Sequence, residues 1–167
     1  MFHDPLHTLA FGTDASFYRL IPKLVIKAKD DEEVSLILRE TYKLELPVTF
    51  RAAGTSLSGQ AISDSVLVIA GEHWKNYEIL EEGRKIKLQP GLKGVKVNAL
   101  LASYGRKIGP DPASIDTAMI GGIAANNASG MCCGTAQNSY RTLHGMRVIL
   151  ADGTTLDTRD PATRARP

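Results

Sequence analysis

The sequence predicts an α+β protein in two lobes. Three observations point there: a strand–helix–strand run early in the chain, two hairpin patterns further on, and two segments too rich in small residues to form a core on their own. Leu24-Val25-Ile26 is a short apolar strand after Pro22. Asp30 to Lys43 reads as a helix, with Asp30 and Glu33 spaced as a capping box, Val34, Ile37 and Leu38 as an apolar stripe, and Lys43 at the negative end of the helix dipole. Pro47 to Phe50 and Val66 to Ile69 follow as buried strands. Strand, helix and strand with short connections predict a parallel pair joined by a crossover helix.

The pattern then changes. Tyr77 to Leu80 and Lys85 to Leu88 alternate apolar and polar residues on either side of Glu82-Gly83, which predicts a hairpin. Leu92 to Tyr104 is an expected helix with Val97, Leu100, Leu101 and Tyr104 on one face and Gly105 as its C-terminal cap. After a Gly- and Ala-rich stretch from Gly109 to Gly134, Met146 to Leu150 turns through Asp152-Gly153 into Thr154 to Asp157, a second hairpin. The expected division is an N-terminal extension over 1–23, a first lobe over 24–72, a partial second lobe over 73–160 and a tail over 161–167.

Composition excludes several classes. The chain of 167 residues is 43% hydrophobic and 23% charged, with a net charge of +2, as in an ordinary globular domain. Nucleic-acid binding needs basic residues clustered on one face, and the only cluster here is Arg159, Arg164 and Arg166 in a proline-flanked tail. No apolar run approaches the roughly 18 residues of a membrane span, and the N-terminus lacks the pattern of a signal peptide. Cys132 and Cys133 are adjacent with no other thiol to pair with, and the 4 histidines show no metal spacing. A cytoplasmic protein with reduced thiols, no metal and no nucleic-acid partner is expected.

Arg51-Ala52-Ala53-Gly54-Thr55-Ser56-Leu57-Ser58-Gly59, directly after a strand, is the first small-residue segment. Glycine permits left-handed turns, and successive turns can aim several backbone N–H groups into one anion-binding concavity. Thr55, Ser56 and Ser58 add hydroxyls and Arg51 a charge, a set that suits a pyrophosphate. The segment is neither a P-loop, which ends in Gly-Lys-Ser/Thr, nor the Gly-x-Gly-x-x-Gly turn that opens a helix in dinucleotide folds. Taken alone, a plain surface loop explains it equally well.

The second segment shifts the balance. Gly109-Pro110-Asp111-Pro112-Ala113 is a stiff turn, and Ile120 to Gly130 is nearly devoid of bulky side chains. Such residues bury little apolar area, so a large flat ligand lying against the backbone explains them better than core packing. Asn126, Asn127 and Ser129 would offer it polar edges. A tight helix–strand crossing also favours Gly and Ala, but two such segments in one small chain favour the ligand.

In this order, the Pro-Val-Thr-Phe strand, Arg-Ala-Ala-Gly-Thr-Ser-Leu-Ser-Gly, Gly-Pro-Asp-Pro-Ala-Ser, Ile-Gly-Gly-Ile-Ala-Ala-Asn-Asn-Ala-Ser-Gly and Val-Ile-Leu-Ala-Asp-Gly resemble the PCMH-type FAD-binding domain of the vanillyl-alcohol oxidase and p-cresol methylhydroxylase superfamily. The branch they resemble contains the bacterial FAD-linked D-lactate, glycolate and D-2-hydroxyglutarate dehydrogenases. Gly12-Thr13-Asp14-Ala15-Ser16 looks like that branch, and Met131-Cys132-Cys133-Gly134-Thr135 like its long members with an iron–sulfur region.

The resemblance implies FAD as cofactor. Arg51, Ala52, Ala53, Gly54, Thr55, Ser56, Leu57, Ser58 and Gly59 would hold its pyrophosphate. Pro110, Asp111, Pro112 and Ala113 would run beside the flavin. Ala118, Gly121 and Gly122 would let the backbone approach, and Ala125, Asn126, Asn127, Ser129 and Gly130 would close the ribityl and pyrophosphate side. The first loop has no histidine for covalent attachment, so a dissociable FAD is expected. The parent enzyme would pass a hydride from a small D-2-hydroxy acid to FAD and electrons onward to a quinone, cytochrome or iron–sulfur centre, at most peripherally at the inner membrane.

The family's later strands, cap domain and proton-abstracting histidine have no counterpart in this sequence. The chain is therefore expected to be an N-terminal fragment with no catalytic residue of its own. Alternatively, it is a non-catalytic subunit that completes its flavin site with a partner chain. Cys132 and Cys133 read as loop filler, His144 as a structural histidine, Trp74 with Tyr77 as a core anchor rather than an adenine platform, and Arg141 and Arg147 as surface charges.

Overall fold

The computed structural model describes residues 1–165, so Arg166 of the basic tail lies outside the described residues. Its first sheet holds β1 (Leu24–Lys27), β2 (Val48–Arg51) and β3 (Val66–Ile69), all parallel, in the order β1-β3-β2. The parallel crossover is as expected, but β1 and β2 do not pair directly. β3 lies between them, with Leu24 and Val48 both in register with Val66. The reason is burial: Val66, Leu67 and Val68 are buried on both faces, whereas β2 is only half covered.

Helix α2 (Asp31–Lys43) covers one face. Asp30 caps it by accepting from the Glu33 N–H at 2.9 Å, and the Glu33 carboxylate accepts in turn from the N–H of Lys29 at 2.8 Å, one residue before the position a regular capping box uses. Val34 and Leu38 pack on Val66, Val68, Ala28 and Trp74 to form the main core. Trp74 is 6% exposed, and its indole N–H donates to the Ala28 carbonyl at 2.8 Å. It is a core anchor, and its ring is not free to act as an adenine platform.

The chain then forms the antiparallel pair β4 (Tyr77–Leu80) and β5 (Lys85–Leu88). Its turn places Glu81, Glu82 and Gly83 all in the left-handed region. Helix α3 (Gly94–Leu101) is shorter than expected, because its last turn tightens to a 3-10 turn over Ala102–Tyr104, capped by left-handed Gly105. That tightening takes Tyr104 off the apolar face. It is exposed and lies against Gly83 of the hairpin, while Val97 and Leu101 pack with Leu92 in a second, smaller core.

The last antiparallel pair, β6 (Arg147–Ile149) and β7 (Thr155–Asp157), docks back on α2. Ile149 joins the main core, the Ser35 hydroxyl donates to the Gly153 carbonyl, and Arg147 pairs with Asp31. Short helices α1 (Pro5–Ala10), α4 (Ile120–Ala125), α5 (Ser139–Thr142) and α6 (Pro161–Arg164) complete the described chain. No helix among the described residues is long and apolar enough to cross a membrane.

Asp157, at the end of β7, is held down to about 2 by hydrogen bonds and charge from Arg159. A carboxylate lowered in the fold stabilises it above the ordinary pKa and loses that contribution as pH falls through the folded value. NMR of the Arg159 amide and guanidinium should therefore show the Asp157–Arg159 contact loosening between about pH 4 and pH 2, with no change above pH 5.

Candidate cofactor site

The three parallel strands all end on one side. In open parallel sheets, ligands bind outside the carboxyl ends of the strands. A cavity of about 210 Å³ opens there, lined by Lys27, Ile69, Ala52, Phe11, His73 and Met119. Of the two small-residue segments only Ala52 lines it, and Met119, the residue before Ile120, brings the chain to its wall without the second segment itself entering.

Beyond β2 the chain turns through left-handed Gly54 and Gly59. The consecutive N–H groups of Ala53, Gly54, Thr55, Ser56 and Leu57, on residues that are half-buried or exposed, donate to no acceptor among the described residues and are open to a ligand or to water. The Ser56 hydroxyl is occupied within the loop, accepting from the N–H groups of Ser58 and Gln60, while no hydrogen bond engages the Thr55 hydroxyl. Arg51 turns under the loop. Its guanidinium donates to the Thr13 carbonyl at 2.7 Å, sits over the Phe11 ring, and lies where a Cβ on Gly54 would fall.

The turn at Pro110 to Ala113 is tied to the end of the second segment, with the Asp111 N–H donating to the Ser129 carbonyl at 2.6 Å. Gly130, at φ 129, approaches so closely that a Cβ would lie 1.9 Å from the Asp111 carbonyl oxygen. Between them runs α4, a helix in a stretch whose glycines give no helical signal. Gly121 allows it, because a Cβ there would meet Pro90 at 2.7 Å. Gly122 is exposed and would meet nothing.

The remaining residues divide in the same way. Ala118 is buried, and its carbonyl accepts from Gly94. Asn127 holds α5 by accepting from the Tyr140 N–H at 3.0 Å, and Pro110 is buried. Ala113, Ala125, Asn126 and Ser129 are exposed, with Pro112 half-buried. Cys132 and Cys133 are free thiols, Met131 is fully exposed, and His144 is exposed.

The two glycines of α4 make a signed test. Gly122→Ala should raise stability by about 0.5–1 kcal/mol through helix propensity, and any loss it causes should fall on ligand affinity. Gly121→Ala should instead destabilise by about 1–3 kcal/mol, because the Pro90 ring must move. Urea unfolding of the two variants side by side checks both signs.

The fold and this loop define a nucleotide-binding domain of the flavoprotein oxidases: a profile for the FAD binding domain matches residues 22–159. The chain belongs to that FAD-binding family. It is 34% identical over 143 residues to the glycolate oxidase subunit GlcD of Escherichia coli K12, covering 84% of this chain and 29% of that protein. The D-2-hydroxyglutarate dehydrogenase of Pantoea ananatis is 30% identical over 159 residues, covering 93% and 16%. The D-lactate dehydrogenase of Archaeoglobus fulgidus is 31% identical over 134 residues, covering 78% and 29%.

Among solved structures, 6-hydroxy-D-nicotine oxidase of Arthrobacter nicotinovorans superposes with a TM-score of 0.80 at 16% identity, covering 94% of this chain and 34% of that one. An alkyldihydroxyacetonephosphate synthase gives 0.78 at 19%, covering 95% and 31%. The architecture is thus the PCMH-type FAD-binding fold, and the chain spans about a third or less of these relatives. FAD is the cofactor of this domain. The donors fit it: a run of N–H groups without protein partners follows directly on Ala52, which lines a cavity walled also by Phe11, Ile69 and Met119, and such a set suits a pyrophosphate joined to flat rings.

Proposed function

We propose that the chain is the part of an FAD-dependent oxidoreductase that holds the cofactor without a covalent bond, in a parent enzyme that oxidises a small D-2-hydroxy acid. The observation that carries the reading is the unpartnered N–H run from Ala53 to Leu57. Glycolate, D-2-hydroxyglutarate and D-lactate are named in the relatives, and all are 2-hydroxy acids. Bound FAD would supply the capacity to accept a hydride from the substrate's α-carbon.

The residues of this chain bind and orient. The Ala53 to Leu57 N–H groups take the phosphate oxygens, with the Thr55 and Ser58 hydroxyls beside them. Pro110 to Ala113 flank the flavin, Gly122 permits close approach, and Asn126 and Ser129 give polar edges. Arg51, Ala52, Gly54, Gly59, Ala118, Gly121, Ala125, Asn127 and Gly130 set the backbone that presents these groups. The first loop offers no histidine for attachment. A cytoplasmic location, peripheral at the inner membrane at most, belongs to the same proposal.

Titrating the purified chain with FAD while following visible absorbance and flavin fluorescence tests the binding half. Saturable binding that is reversed by denaturation supports it, and no binding up to millimolar FAD sinks it. The rival reading, a non-catalytic subunit completed by a partner chain, is favoured by the exposure of Leu57 and Met131 beside the site segments. It predicts FAD retention only in the presence of that second chain.

A further inference from the structure

The FAD-binding profile begins at residue 22, yet the segment before it touches the pyrophosphate loop at its start, at Gly54 and at its end. At the start of the loop, the Arg51 guanidinium donates to the Thr13 carbonyl at 2.7 Å and stacks over Phe11. In the middle, the Gly54 carbonyl accepts from the Ala15 N–H at 3.1 Å. Near the end, Gly59 lies against Tyr18, where a Cβ would come within 3.0 Å of the ring. At the exit, the Ala61 N–H donates to one carboxylate oxygen of Asp14 at 3.3 Å, while the other oxygen accepts from the Ser16 N–H at 2.8 Å.

Turned in this way, the loop engages the Phe11–Tyr18 segment through the Gly54 carbonyl, the Ala61 N–H and the Arg51 guanidinium. The N–H groups of Ala53 to Leu57 are left without an acceptor among the described residues. Asp14 is the joint of the arrangement, because each of its oxygens serves a different strand of backbone. Burial acts to raise its pKa, but the bonds from Ser16 and Ala61 and the nearby Arg51 charge outweigh burial and hold it below the usual carboxylate value.

We infer that Asp14 is a positioning residue for the FAD pyrophosphate: without touching the cofactor, it fixes the Phe11–Tyr18 segment as the scaffold on which the loop's N–H groups are aimed. This rests on the FAD-binding reading above. Asparagine cannot replace aspartate here. It has one acceptor oxygen, so its NH₂ group would face either the Ser16 or the Ala61 N–H.

The experiment measures FAD affinity by flavin fluorescence, and the ³¹P resonances of FAD at saturation, for the full chain, for Asp14→Asn and for Tyr18→Ala. Tyr18 is exposed, so its variant folds even where Asp14→Asn does not. Asp14→Asn should weaken FAD about tenfold and move both phosphorus resonances toward their free positions, and Tyr18→Ala should do so about threefold, as expected for loss of aim in charge-assisted bonds. Unchanged affinity in the folded variants overturns the inference. So does weakened affinity with unmoved phosphorus resonances, since the loss would then lie outside the pyrophosphate cradle. Failure of the unaltered chain to bind FAD overturns the cofactor reading itself.

Discussion

Gly54→Asp should reduce FAD affinity by at least about a hundredfold, the largest loss expected from a single exchange in the site. Three costs combine. A side chain at φ 73 is strained by about 1–2 kcal/mol. Its Cβ would lie 2.5 Å from the Arg51 guanidinium, which also braces the loop against Thr13. The added carboxylate would then stand among N–H groups assigned to a phosphate, where like charge repels. Isothermal titration with FAD, beside urea unfolding, separates the terms. Gly54→Ala shares the strain and clash without the charge and should bind FAD more tightly than Gly54→Asp. Equal affinity of Gly54→Asp and the unaltered chain would remove the close-approach role of the loop.

Trp74→Ala should have the largest effect on stability, a loss of about 3–5 kcal/mol. The indole fills the junction where Ala28, Val34 and Val68 meet, and its N–H is the recorded partner of the Ala28 carbonyl. Removing it leaves both a cavity and a buried acceptor without a donor. Thermal unfolding followed by circular dichroism should show a midpoint lower by about 10 °C, from the usual shift per kcal/mol for a chain of this size. Trp74→Phe, which keeps most of the packing and loses the N–H, should fall between the two. A midpoint unmoved by Trp74→Ala would contradict the core described here.

How much of this could be read from sequence depended on how locally each feature is determined. The α2 capping residues and stripe act within a few positions, and the helix appears where they place it. The hairpins follow from alternation around Gly83 and Gly153, both of which adopt positive φ. β3's place between β1 and β2 was less evident, although its continuous Val66–Ile69 run is what a strand covered on both faces requires. Helix α4 escaped notice because paired glycines disfavour a helix by about 1 kcal/mol each, and only the Pro90 contact shows why Gly121 is there.

For the site, the small residues of both segments announced close approach, and the resemblance supplied the ligand. The division of labour among them was not legible. Gly130 makes room for protein backbone and Gly121 for the Pro90 ring, Asn127 accepts from the first turn of α5, and Gly122 alone of the α4 pair faces open space. Arg51 illustrates the limit: a basic residue beside an anion loop suggests charge for the anion, and it is the fold that directs its guanidinium to carbonyls 38 and 40 residues away. Contacts of that range carry no local signal.

The position of β3 also sets the order in which the cradle can come into being. The two strands that flank it are made earlier, yet neither has a strand of the sheet beside it until Val66 to Ile69 arrives and threads between them, β1 having only its isolated bridge to Phe2. The glycine loop is part of the connection by which β3 reaches that slot, so its far end is fixed only when that strand docks, while Thr13 and Ala15 hold its start. The nucleotide site proposed for this loop is therefore complete only on the closed sheet. Any FAD held by this loop reports that the sheet is closed, and by mass action it draws the folding equilibrium toward the closed form.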